Sequence, residues 1–157
     1  MTAYDRKAAW AAFDASYRLV LTPARCVYCG GRASGLDHVP PLRFVAMLGP
    51  ERHLYRCCWR CNSALGPHPA RCLMDRAAFL VEAYRVEWSG VAAGPVASGR
   101  WRRLRAIEGR GKRLKARLAA GDLARVCQCA ACSADRIGRG LAMSPDLVEG
   151  LTTDTKS

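Results

Sequence analysis

Nine cysteines and three histidines hold most of the reactive chemistry in this chain of 157 residues. Four of the cysteines form two Cys-x-x-Cys pairs, "CVYC" (Cys26, Cys29) and "CWRC" (Cys58, Cys61), with residues 30–57 between them. Each pair presents two sulfurs to one ion. Two such turns close a tetrahedral thiolate cage around Zn²⁺, with sulfurs about 3.7 Å apart. The cage has no open coordination position, so its expected role is structural: a staple for a sheet too small to hold itself together. Cys57 competes with Cys58 for the fourth place, and the two-residue spacing to Cys61 favours Cys58. Buried free thiols are the competing explanation, since cysteine is among the most buried residue types. Ligand spacing repeated twice argues against it.

Between the pairs stands "LDHVPP", residues 36–41. Its two prolines remove two backbone donors, so neither a helix nor a central strand can continue through them. Asp37 and His38 are therefore expected to project from a strand end into a cleft. Asn62 follows Cys61, and the zinc cage should carry it toward that strand. A carboxylate and an amide oxygen are hard ligands suited to Mg²⁺. The adjacent imidazole can take a proton from water. Metal, base and a cationic surface together describe phosphodiester hydrolysis. The plainer alternatives are a structural histidine beside a strand end for His38 and a turn-capping carboxylate for Asp37.

At these residues the chain resembles the HNH endonucleases, which have a ββα-metal fold. The family pattern is a first knuckle, Asp-His-hydrophobic-x-Pro, Asn-Leu, and a second knuckle ending in Cys-Asn. Here it reads "CVYC", "DHVPP", "HL" and "CWRCN", covering residues 26–62. The resemblance implies a small α+β protein with a zinc-stapled ββα-metal core, flanked by N- and C-terminal helices. It implies that His38 is the general base, and that Asp37 and Asn62 hold one catalytic divalent metal, Mg²⁺ or Mn²⁺. His53 takes the place of the family's middle Asn. There are two departures: that histidine, and the absence of a Lys shortly after Cys-Asn. His68, six residues beyond Asn62, is a candidate extra ligand, but the Gly66-Pro67 break favours a loop histidine. The implied activity is cutting or nicking of DNA, in a phage or mobile-element setting. The rival expectation is a non-catalytic zinc module that binds nucleic acid, and a weaker third is a protein-interaction adaptor.

Charge points to the same class of partner. Lys and Arg number 25 against 13 Asp and Glu, a net charge of +12, and the pI is near 9.8. A polyanion, DNA first, is the expected partner. Residues 100–117 carry nine basic residues and one acid. Arg100, Arg102, Arg103, Arg105, Lys112, Arg113, Lys115 and Arg117 are the candidate phosphate contacts, the alternative being a solvated helix face. No apolar run approaches the roughly 18 residues of a membrane span. The first residues lack the apolar centre of a signal peptide. The expected compartment is the cytosol, where thiols stay reduced. "CQCAAC" adds Cys127, Cys129 and Cys132, with Cys72 as a conceivable fourth ligand of a second zinc; reduced thiols are the preferred reading there.

The elements that would position these residues follow from periodicity and breakers. An N-terminal helix is expected over 4–20 within a segment 1–22, on the spacing of Trp10, Phe13, Tyr17 and Val20. The core should occupy 23–70: knuckle, short hairpin, a helical turn or two at 42–48, a strand at 52–57 and a helix from Trp59 to "GPHP". A supporting helix capped by Asp75 is expected over 71–88. The Gly-rich 89–99 reads as a linker. A basic helical region should span 100–143, weakened at Gly109 and Gly111, before a tail at 144–157.

Overall fold

The structure, a computed structural model, describes residues 11–12, 14–44, 48 and 51–140. The first part of the expected N-terminal helix, the Gly49-Pro50 break and the tail from 144 lie outside the described residues. The protein is a small α+β fold, with a three-stranded sheet and five named α-helices among the described residues. The strands are β1 (Arg18–Leu19), β2 (Gly35–Val39) and β3 (His53–Cys57). The helices are α1 (Trp59–Leu65), α2 (Leu73–Ala93), α3 (Arg100–Ala119), α4 (Asp122–Val126) and α5 (Ala130–Gly138). The strand order is β1-β3-β2, with β1 parallel and β2 antiparallel to the central β3.

The expected helix over 4–20 ends early. Ala11, Ala12, Asp14 and Ala15 are helical, but the chain then turns to pair with β3. Arg18 N donates to Arg52 O at 3.0 Å and Val20 N to Leu54 O at 2.9 Å. A free sheet edge offers backbone partners that local helical periodicity does not anticipate. Tyr17 and Val20 are buried all the same. Pro40 follows β2, which is an edge strand, where a missing donor is harmless.

The second helix also differs from expectation, at both ends. Cys72, not Asp75, is its N-cap, because the Cys72 sulfur accepts the Met74 N–H at 3.4 Å. It runs on through residues 89–93 to Ala93, where the sequence had suggested a linker. Val91 packs against the core, and Gly94-Pro95 supplies the stop. The connecting segment is therefore only residues 94–99.

Helices α2 and α3 form an antiparallel hairpin with a heptad-like seam. Leu73, Ala77, Leu80 and Tyr84 are buried on one side, and Leu104, Ile107 and Leu114 on the other. Full burial of each large apolar side chain contributes about 1.5–3 kcal/mol. Gly111 occupies the seam position between Ile107 and Leu114, and α3 passes through Gly109 and Gly111 without a break. The expected weak point is absent because tertiary packing fixes the helix. A Cβ on Gly111 would sit 3.9 Å from the Tyr84 Cβ, an ordinary contact. Gly111→Ala should therefore keep the packing and gain helix propensity. We expect it to raise stability by about 0.5–1 kcal/mol, measured by urea unfolding. A loss of stability would show that α3 needs closer approach at this seam than its geometry indicates.

Candidate functional site

The first knuckle is a turn closed by Cys26 N to Gly31 O (2.7 Å) and Gly30 N to Cys26 O (2.9 Å). Gly30 lies at φ +72, a conformation that favours glycine. The second knuckle is a helix start: Cys58 is the N-cap of α1 and its sulfur accepts the Cys61 N–H at 3.4 Å. The sulfurs of Cys26, Cys29, Cys58 and Cys61 all lie within 4.8 Å of one another. Cys29 and Cys58 sulfurs are 3.8 Å apart, matching the edge of a tetrahedron with Zn–S bonds of about 2.3 Å. The donor set and spacing fit a structural metal such as zinc. Tyr84 Oη lies 2.9 Å from the Cys61 sulfur and can donate to a thiolate there. Cys57 points elsewhere. It is fully buried, and burial, then the Asp37 charge, push its thiol up to about 12.

The residues between the knuckles are arranged differently from the sequence expectation. Asp37 and His38 lie inside β2, not beyond its end. Consecutive strand residues face opposite sides of a sheet. The register pairs Asp37 with Tyr55 and Val39 with His53, and pairs His38 with Leu54 and Leu36 with Arg56. Asp37 and His53 are therefore on one face and His38 is on the other. Neighbours in sequence are separated by the thickness of the sheet.

Asp37 is almost completely buried. Arg76 of α2 grips it through two bonds, Nε to Oδ2 at 2.8 Å and Nη2 to Oδ1 at 2.6 Å. The Tyr28 hydroxyl donates to Oδ2 at 2.5 Å. Burial, reinforced by the Asp37 charge, holds the Tyr28 phenol well above its ordinary pKa, so the hydroxyl keeps its proton. Burial works against the Arg76 charge, but Asp37 outweighs it and raises the guanidinium above its usual value. Both carboxylate oxygens are committed. Asn62 is exposed, and its side chain makes no hydrogen bond among the described residues. Asp37 and Asn62 thus do not fit Mg²⁺ or Mn²⁺ in this arrangement: a guanidinium stands where a cation would have to be.

His38 is partly exposed on the opposite face. Its Nε2 lies 2.6 Å from the Asp14 carboxylate, and Tyr17 meets its ring edge-on at 4.8 Å. Asp14 carried no signal in the sequence, because nothing there announced that the first segment returns to the sheet. His53 is half-buried near Tyr55, and burial lowers its pKa. His68 stacks flat on Phe79 at 3.7 Å, and its carbonyl accepts from Arg76 Nη1. It braces the loop.

The basic helix divides into two groups. Arg113 Nε donates to Cys29 O (3.2 Å) and Arg117 Nε to Val27 O (3.1 Å), so these two brace the first knuckle. Arg100 donates to Ala92 O, Arg103 faces Glu87 at 3.7 Å and Lys112 faces Glu108 at 3.1 Å. Arg102, Arg105 and Lys115 are exposed and unpaired among the described residues. Beside them Trp101 is 69% exposed.

Cys72, Cys127, Cys129 and Cys132, read from the sequence as reduced thiols, also gather within 4.8 Å of one another. The fold therefore contains two four-cysteine groups able to hold a metal. They are the only such clusters of His, Cys, Asp or Glu among the described residues. No helix among those residues is long and apolar enough to cross a membrane. Comparison with family models, curated proteins and solved structures gives no match.

The Asp37 geometry generates a direct test. Removing one partner of a buried pair leaves an uncompensated charge, at a cost of about 3–5 kcal/mol. Asp37→Ala should lower the urea midpoint accordingly. A ligand facing solvent would be lost with little change in stability, and that result would reject the anchoring role.

Proposed function

We propose that the chain is a zinc-stapled endonuclease of the HNH type that hydrolyses DNA phosphodiester bonds, with His38 as its general base. The observation that carries this reading is the His38–Asp14 pair on the face of β2 opposite Asp37. A carboxylate that accepts from Nε2–H holds the imidazole in one tautomer and leaves Nδ1 as a proton acceptor. Water attacking phosphorus loses its proton to Nδ1, the phosphorus–oxygen bond to the leaving group breaks as that oxygen takes a proton from solvent, and Asp14 stabilises the resulting imidazolium. Antiparallel β2 and β3 followed by α1, and the Cys26, Cys29, Cys58 and Cys61 group, support the reading at the residues that carry the resemblance. Net charge +12 supports a polyanionic substrate. No step is assigned to Mg²⁺ or Mn²⁺.

One observation favours a second reading, a non-catalytic zinc module that binds nucleic acid: Arg76 fills the Asp37 carboxylate. Incubation of purified protein with supercoiled plasmid, in chelator and with Mg²⁺ or Mn²⁺, separates the two. The nuclease reading expects nicked or linear product, with His38→Ala slowed by about 10²-fold or more. Asp14→Asn should be slowed less. A parent that binds the plasmid yet leaves it intact under every condition would establish the second reading instead.

Both readings require a phosphate-binding surface. Neutralising Arg102, Arg105 and Lys115 to Gln should flatten the salt dependence of duplex binding. Each lost contact should lower the log–log slope by roughly 0.9. Neutralising Arg113 and Arg117 should instead lower thermal stability, because both are committed to knuckle carbonyls. An unchanged slope in the triple variant would assign those three charges to solvent.

A further inference from the structure

We infer that Cys72, Cys127, Cys129 and Cys132 form a second structural zinc centre, and that the native protein carries two zinc ions. The four sulfurs come from distant parts of the chain: Cys72 before α2, Cys127 after α4, and Cys129 and Cys132 at the start of α5. The Cys72 sulfur lies 3.3 Å from that of Cys127, 3.4 Å from Cys129 and 3.7 Å from Cys132. One thiol with three sulfur neighbours at nearly equal range is the arrangement of a tetrahedral thiolate site. A disulfide would single out one partner at about 2.05 Å.

The local backbone repeats that of the first cage. Cys129 is the N-cap of α5 and its sulfur accepts the Cys132 N–H at 3.3 Å, as Cys58 does from Cys61 at the start of α1. Met74 N–H points at the Cys72 sulfur in the same way. Four thiolates around Zn²⁺ carry a net charge of −2, and amide donors aimed at sulfur stabilise it. The buried Arg136 guanidinium adds a positive charge at the same turn, donating to the carbonyls of Ala124 and Cys127.

The surroundings give the centre its task. Gln128 N donates to the Tyr55 hydroxyl at 3.0 Å, and Ala130 N to the Glu51 carboxylate at 3.0 Å. These bonds tie the thiol-bearing turn to β3 and the residues before it. Cys72 begins α2, and Arg76 lies one helical turn further on. Zinc here would fix the start of α2, join the short C-terminal helices to the sheet, and hold Arg76 in place against Asp37. Helices as short as α4 and α5 bury too little surface to dock unaided.

The test is zinc stoichiometry on the full chain, purified without added metal. Two equivalents are expected, and exchange with ¹¹³Cd should give two NMR resonances in the tetrathiolate range. Cys26→Ser/Cys29→Ser and Cys129→Ser/Cys132→Ser should each lose one equivalent and one resonance, a different one in each case. Should a variant precipitate, parent stoichiometry and resonance count decide alone. One equivalent in folded parent protein, with Cys72, Cys127, Cys129 and Cys132 alkylated by N-ethylmaleimide or found as disulfides, would overturn the proposal. Absence of nuclease activity would not touch it.

Discussion

The buried contact between Arg76 and Asp37 is the constraint on which the rest of the arrangement depends. It joins three parts of the molecule that share little else: Asp37 belongs to an edge strand, Arg76 to the long helix α2, and Tyr28 to the first knuckle. An unpaired carboxylate or guanidinium at this depth would be strongly unfavourable, so each group requires the others in place. The contact also fixes where the start of α2 sits against β2. It fixes the assignment of faces in β2 as well, because a one-residue slip would turn Asp37 toward solvent and His38 into the core.

Around this contact the two cysteine groups have complementary places. The first links the knuckle turn to α1, and the hairpin of α2 and α3 closes over it through Tyr84, Arg113 and Arg117. The second gathers the start of α2 with the C-terminal helices. The apolar content is spread between a very small sheet and one helical hairpin, so a core built from side chains alone has few layers. Metal held at both four-cysteine groups would offset that deficit, as structural metals do in small domains. Much of the positive charge is then consumed internally. Arginines that looked like phosphate contacts serve as carbonyl donors to knuckles and helix ends, and the remaining exposed set is smaller than composition suggests.

This division places His38 on the less covered side. Asp37 meets Arg76 of α2 on one face, whereas on the other face His38 meets Tyr17 and Asp14 and is partly exposed. An imidazole held by a carboxylate at a partly exposed position can exchange protons with water, which a core histidine cannot. The fold thus separates two residues that the sequence had set side by side, Asp37 as a buried anchor and His38 as a partly exposed imidazole beside Asp14.

Much of this was legible in the residues themselves. The first cysteine cage, α1, β3 and the seam of the basic helix follow from spacing, because ligand geometry and side-chain periodicity are local properties. The sequence by itself could not show that Asp14 reaches His38, that Arg76 reaches Asp37, or that Cys72 joins cysteines 55 and more positions away. Each of these is a meeting of distant segments whose partners are decided by how α2 and the first segment pack on the sheet. Adjacency in sequence was also a poor guide at the one place where it looked most informative. Asp37 and His38 are side by side in the chain, and the pleat of a strand sends them to opposite faces.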